Sequence, residues 1–195
     1  MKILIGLGNP GHTFEGTRHN VGFAVIQLLA KRRGIEIGCR VLSAADGRPA
    51  AVYGEYALGT ETVRLLMPLT MMNESGEALR GLQVPLDRVF IICDDVNLPL
   101  GTIRVRPDGG PGGHHGLQSC CGVLGTETVP RLRIGVGSEE APKDLTNFVL
   151  SQFRSPERPV VKHAIEQAAD ACETWVQEGV EVTMNRFNRT QDAMS

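Results

Sequence analysis

Short apolar runs alternate along this chain with longer amphipathic stretches, the pattern of strands interleaved with helices. Lys2 to Ile5 is an apolar run that stops at glycine and predicts a buried strand. Residues 6–19 are polar. Val21, Val25, Leu28 and Leu29 then recur at helical spacing up to Lys31, Arg32, Arg33 and Gly34. That ending suits a helix C-terminus, where cations meet the negative end of the dipole and glycine takes a left-handed cap. Residues 50–58 and 61–67 flank Gly59 and Thr60 and predict a hairpin. Asn73 is placed to cap a helix running to about Leu82. Residues 89–93 form a short apolar run, read as a buried strand that ends at Asp94 and Asp95. Residues 102–106 alternate, with Ile103 and Val105 inward and Arg104 and Arg106 outward. Leu132, Ile134 and Val136 alternate likewise, with Arg131 and Arg133 on the opposite face. Ser155 and Pro156 mark a helix start. Val161, Ile165, Ala168, Cys172 and Trp175 then line one face of a long C-terminal helix. No repeat or linker interrupts the mixture, so one mixed α/β domain is expected.

Composition narrows the class. A chain of 195 residues predicts one domain, large enough to bury a core without staples. No apolar run approaches the ~18 residues needed to span a membrane. Residues 1–6 are too short for a signal-peptide core, so a soluble cytoplasmic protein is expected. Five cysteines, an odd number without C-x-x-C, argue against a disulfide framework or a zinc ribbon. Cys39, Cys93, Cys172 and the adjacent Cys120 and Cys121 are expected as reduced thiols, mostly buried. A net charge of −2 excludes broad attraction to nucleic acid but leaves room for a small basic patch. Glycine is the outlier, with 23 residues concentrated near 6–22 and 101–125.

Those two stretches carry the candidate chemistry. Residues 6–11, GLGNPG, fit G-x-G-x-x-G after a strand, and Glu36 lies at a plausible distance for a ribose. A dinucleotide site requires the helix to open inside the glycine loop, whereas helical spacing here begins only at Val21. The other reading uses the polar residues. Asn9 sits in the loop, His19 just before the first helix, and Asp94 at a strand end, where ligands of parallel sheets gather. A carboxylate on one imidazole nitrogen fixes the tautomer and raises the basicity of the other, making a general base for water. Spacing alone leaves this pair open against a helix-end histidine and turn-capping aspartates. No G-x-S-x-G marks a serine nucleophile, and Cys93 reads as a buried strand-end thiol. Asp94, Asp95, His114 and His115 are metal-ligand types without a compact ligand motif. The glycine stretch 108–116 reads as a cleft wall, a phosphate nest or a surface loop. Arg104, Arg106 and Arg133 on flanking strands could hold a few phosphates.

Six motifs in order resemble one family: GLGNPG at 6–11, TRHNVG at 17–22, PLTMMNESG at 68–76, Asp94-Asp95 with Leu98-Pro99, GGHHGL at 112–117 and RLRIGVG at 131–137. The chain is similar to bacterial peptidyl-tRNA hydrolases over essentially its whole length. The resemblance implies a single α/β domain over 1–190, with a twisted mixed central sheet flanked by helices, and a tail at 191–195. It also implies hydrolysis of the ester joining a peptide to the 3′ end of tRNA, by a monomer needing no metal or other cofactor. His19 matches the family's base, Asp94 its carboxylate partner, and Asn9 the residue selecting a blocked amino group. Asn73 matches a side chain binding substrate and water. Met71 and Met72 match the neighbouring wall, Phe14 a contact to the 3′ end, and Arg106 and Arg133 a phosphate clamp. His115 stands where the family usually has asparagine, Phe14 where it has tyrosine, Met71 where it has an aromatic, and Asn97 where aspartate is common. Two other readings remain at this point: a non-catalytic RNA-binding relative, suggested by His115, and a nucleotide-dependent enzyme.

Overall fold

The computed structural model describes residues 1–38, 40–43, 47–82, 84–138 and 143–188. Cys39 and the tail at 191–195 lie outside the described residues. Among these residues, seven strands form one sheet: β1 (Lys2–Gly6), β2 (Arg40–Ser43), β3 (Pro49–Leu58), β4 (Glu61–Pro68), β5 (Val89–Pro99), β6 (Ile103–Arg106) and β7 (Arg131–Gly137). Their order is β2-β3-β4-β1-β5-β7-β6. Strands β4, β1, β5 and β7 run parallel, while β2, β3 and β6 pair antiparallel at the two sides. The carboxyl ends of the four parallel strands therefore share one rim, where loops from distant parts of the chain converge.

The strands are apolar because both faces of the sheet are covered. On one face, Leu4 and Phe90 pack under α1 (Val21–Arg33) and α4 (Arg158–Glu178). On the other, Ile3, Ile5 and Ile91 pack under α2 (His115–Leu124) and the 3-10 helix Met72–Leu79. Trp175 of α4 stacks on Phe90 with ring centroids 4.7 Å apart. The Lys2 ammonium donates to the carbonyls of Trp175 and Val176, where the C-terminal end of α4 leaves acceptors free. Two further helices complete the chain, α3 (Leu145–Val149) and α5 (Val180–Phe187). Asn188, just past α5, accepts from the Val105 N–H at 2.9 Å and donates to the Val105 carbonyl at 3.0 Å, along the outer edge of β6.

Several expected elements take the expected form. Helix α1 ends at Arg33 with Gly34 in the left-handed conformation, and the hairpin of β3 and β4 turns at Gly59 and Thr60. Others differ for physical reasons. Asn73 caps no helix: the segment after Met71 winds as a 3-10 helix in which the Ser75 hydroxyl donates back to the Met72 carbonyl. Ser155 does not cap α4, which starts at Arg158 with Pro159 in its first turn. The long C-terminal helix stops at Gly179, and α5 follows it. Strand β5 runs on to Pro99 instead of ending at the aspartates, because β7 pairs with it again there. Arg131 is only 1% exposed and does not lie on a solvated face. The glycine stretch covers it.

Candidate active site

The site is assembled at the shared rim of the parallel strands. The loop after β1 supplies Asn9 and His19, and the segment after β4 supplies Met71, Met72 and Asn73. Strand β5 brings Asp94 and Asp95, and the glycine stretch brings His114 and His115. Together with α3 they line a cleft of about 950 Å³.

Close packing fixes the first loop. A Cβ at Gly6 would sit 2.3 Å from the Gly22 carbonyl oxygen, and one at Gly8 would sit 2.7 Å from the Phe23 ring. These glycines let the loop lie against α1. Since α1 opens only at Val21, the GLGNPG segment offers no helix N-terminus to a pyrophosphate. The polar groups are tied down in turn. Asn9 accepts from the Met72 N–H at 2.7 Å through its side-chain oxygen, and its backbone exchanges two 2.9 Å hydrogen bonds with the Asn20 side chain. With that oxygen engaged, the Asn9 amide NH₂ is the group left to offer to the cleft.

His19 Nδ1 lies 2.8 Å from Asp94 Oδ1, and His114 Nε2 lies 2.9 Å from the same oxygen. The His114 tautomer is set independently. Its Nδ1 accepts the Leu117 N–H at the first turn of α2, so its Nε2 carries the proton donated to Asp94. The two rings tilt against each other at 4.9 Å. Burial pushes the Asp94 carboxyl up, but attraction and hydrogen bonding from His114 and His19 outweigh it and hold the group well below the usual carboxylate range. His19, Asp94 and His114 present ligand atoms within 4.8 Å of one another. A metal at His114 Nε2 would displace its proton to Nδ1, facing the Leu117 N–H donor. These residues suit a hydrogen-bonded relay instead.

The remaining expected residues divide. Met71, Asn73 and His115 are exposed and line the cleft, and Met72 is buried in its wall. Arg133 also lines it and pairs with the buried Asp95 carboxylate at 2.5 Å. Phe14 is half-buried in the turn His12–Phe14, and Arg106 is exposed on β6; neither lines the cleft. Burial raises the Cys93 thiol far above its usual range, and the Asp94 charge adds to this, so Cys93 is no nucleophile. Cys93, Cys120, Cys121 and Cys172 are all free and buried.

Two residues escaped the sequence reading. His114 does more than contribute a ligand-type side chain, as its bonds show. Arg131 donates to backbone carbonyls throughout, from Nε to Val129, from Nη1 to Gly109 and Gly110, and from Nη2 to Glu127. One buried guanidinium thus staples the glycine stretch that leads to His114. The repeated R-x-R of β7 was the available signal, but alternation alone does not say what covers a face.

The sequence profile of the peptidyl-tRNA hydrolase family matches residues 3–194. The chain belongs to this family. It is 42% identical to the peptidyl-tRNA hydrolase of Syntrophomonas wolfei and 44% identical to that of Geobacillus kaustophilus. Each alignment covers 96% of this chain and 100% of the relative. The crystal structure of peptidyl-tRNA hydrolase from Acinetobacter baumannii superposes with a TM-score of 0.83 at 30% identity, over 96% of this chain and 94% of that one. Membership of the peptidyl-tRNA hydrolase family agrees with the mixed sheet and with a loop after β1 that offers no dinucleotide site. No helix among the described residues is long and apolar enough to cross a membrane.

Acid stability follows from the buried carboxylates. Asp94, and Glu157 beside Arg154 and Arg18, have folded-state pKa values below their ordinary 3.8 and 4.5. For Glu157, burial pushes upward and is outweighed by hydrogen bonds from Arg154 and Arg18. A depressed carboxylate contributes stability that is complete above its unfolded value and lost as pH falls through its folded one. Melting temperatures measured from pH 7 downward are expected to carry no slope from these two groups until about pH 5, then to fall steadily. A slope of the opposite sign below pH 4 would contradict both assignments.

Proposed function

We propose that this chain hydrolyses the ester between a peptide and the 3′ end of tRNA by direct attack of water, with His19 as general base. The observation that carries this is the 2.8 Å contact of His19 Nδ1 with Asp94 Oδ1 at a cleft that Asn9 and Asn73 also line. With Nδ1 protonated and directed at the carboxylate, Nε2 holds the lone pair on the other side of the ring. Nε2 takes a proton from water as the water oxygen bonds to the ester carbonyl carbon. The Asp94 charge stabilises the imidazolium that forms. The tetrahedral intermediate then collapses: the carbon–O3′ bond breaks, and the imidazolium returns its proton to the leaving 3′ oxygen. The peptide departs as a carboxylic acid that ionises in solvent.

The other side chains orient the reactants, the main requirement for an activated ester. The Asn9 NH₂ faces the cleft with its oxygen pinned, so it donates to a carbonyl and offers nothing to a free ammonium. A blocked, peptide-like amino end supplies that carbonyl. Asn73 and His115, on two elements that pack against each other, are placed to hold substrate and water, and Met71 with Met72 gives the apolar surface beside them. Arg133 presents part of its guanidinium at the cleft edge, and Arg106 lies exposed on the neighbouring strand, so the two are assigned to tRNA phosphates outside the reacting centre.

The test is cleavage of N-acetylaminoacyl-tRNA by the purified chain in EDTA, with free aminoacyl-tRNA compared alongside. Cleavage of the acetylated substrate at a rate at least about 100-fold above the free one is expected, as befits a site whose polar group finds a partner in only one of them. Binding of tRNA without cleavage of either would overturn the proposal.

A further inference from the structure

Three consecutive residues, Arg18 to Asn20, form one 3-10 turn and reach in three directions. His19 meets Asp94 and Asn20 meets Asn9, as described above. Arg18, 3% exposed, points the opposite way, into the end of α3 and the segment 150–157 that links it to α4. Its Nη2 donates to Glu157 Oε2 at 2.8 Å, and its Cζ lies 4.5 Å and 4.7 Å from the ring centres of Phe148 and Phe153. Its own N–H donates to the Ser151 carbonyl at 3.0 Å, and Thr17 bridges to Gln152. Arg18 Nε and Nη1 are buried and make no hydrogen bond among the described residues.

As a filler this is a costly choice, since burying a guanidinium with one carboxylate on one nitrogen forfeits more hydration than an apolar side chain would. What the guanidinium adds is direction: its plane is fixed by a carboxylate and two ring faces at once. Phe148, which lies against that plane, belongs to α3, whose Leu145, Thr146 and Val149 face the cleft. The same contact therefore sets the position of the turn carrying His19 and that of the wall across from it.

We infer that Arg18 is a positioning residue, holding the His19 imidazole in register with Asp94 by tying its turn to the α3 wall. The inference rests on the assignment of His19 as the base. Without the Arg18 side chain the turn keeps its anchors at Asn20 and Asp94 and its backbone bond to Ser151, but loses its tie to Glu157 and Phe148, and the ring gains freedom about the carboxylate.

The test is Arg18→Met, which fills the space beside the rings; Glu157 keeps its hydrogen bonds from Arg154. Turnover of N-acetylaminoacyl-tRNA, melting temperature and the NMR signal of the His19 Nδ1 proton are measured together. The expected result is a fall in kcat of about tenfold with KM within about twofold, the scale of a small misplacement of a reacting group. The protein stays folded at the assay temperature, and the His19 Nδ1 proton exchanges faster with solvent. Arg18→Lys, which keeps the charge but not the plane, recovers part of the loss and carries the test if the methionine variant fails to fold. Wild-type kcat with an unchanged proton signal would overturn the inference, as would a loss that only follows the fraction unfolded. His19→Ala in the same assay separates the two claims: if it retains turnover, the base assignment itself has failed, whatever Arg18 does.

Discussion

Replacing His19 with alanine is expected to lower turnover of N-acetylaminoacyl-tRNA by roughly 10²–10⁴-fold while tRNA binding stays near wild type. Both halves of this expectation come from geometry. Of the two imidazoles held by Asp94, His19 is the one whose second nitrogen is left to accept a proton, since His114 spends one nitrogen on Leu117 and the other on Asp94. No neighbouring thiol can substitute, because burial keeps Cys93 protonated. Binding, by contrast, is assigned to arginines on β6 and β7 and to the methionine wall. Single-turnover cleavage together with a filter-binding titration checks the two separately. Turnover within a few-fold of wild type would remove His19 from the mechanism.

Asp94→Asn should cost nearly as much, on the order of 10³–10⁴ by analogy with other carboxylate–histidine pairs. The substitution is unusually informative here because both imidazoles use one oxygen, Oδ1. An asparagine placed with its carbonyl oxygen in that position can accept both hydrogen bonds, so the arrangement survives while the charge is lost. The fall in kcat then measures what the negative charge contributes to the imidazolium, with little admixture of disorder. The variant should fold but melt at a lower temperature, since a neutral group of equal size forgoes the stability that the depressed Asp94 carboxyl contributes at neutral pH. A variant with wild-type kcat would show that Asp94 only orients His19. One that fails to fold would show that its charge is structural.

How far the sequence carried the argument depended on the distance over which each feature is determined. Helix α1 was legible because its apolar spacing, basic last turn and terminal glycine are all local. The strands were legible as apolar or alternating runs. The asparagine at 73 misled because Ser75, two residues on, competes for the backbone of the same segment. Arg131 misled because alternation places a side chain on a face without saying what covers that face, and its cover comes from some twenty residues earlier. The His19–Asp94 pair stood open on spacing and was narrowed only by family resemblance. What brings its members together is the pairing of β1 with β5, an arrangement of the sheet and not of the intervening sequence. His114 was hardest of all, since its tautomer depends on a backbone N–H that exists as a free donor only if α2 begins at that residue.

The contact of Asn188 with Val105 bears on whether copies of this chain can pair edge to edge. Strand β6 is the last in the sheet among the described residues, and the backbone groups at a sheet's edge are where another chain can pair. The carboxamide of Asn188 satisfies the Val105 N–H and carbonyl together, much as one residue of an eighth strand would. An incoming extended segment would have to displace a partner already supplied by the same molecule, at the enormous effective concentration that covalent connection confers. Asn188, just past α5, thus doubles as a stopper at Val105, on the side from which sheets otherwise grow between molecules.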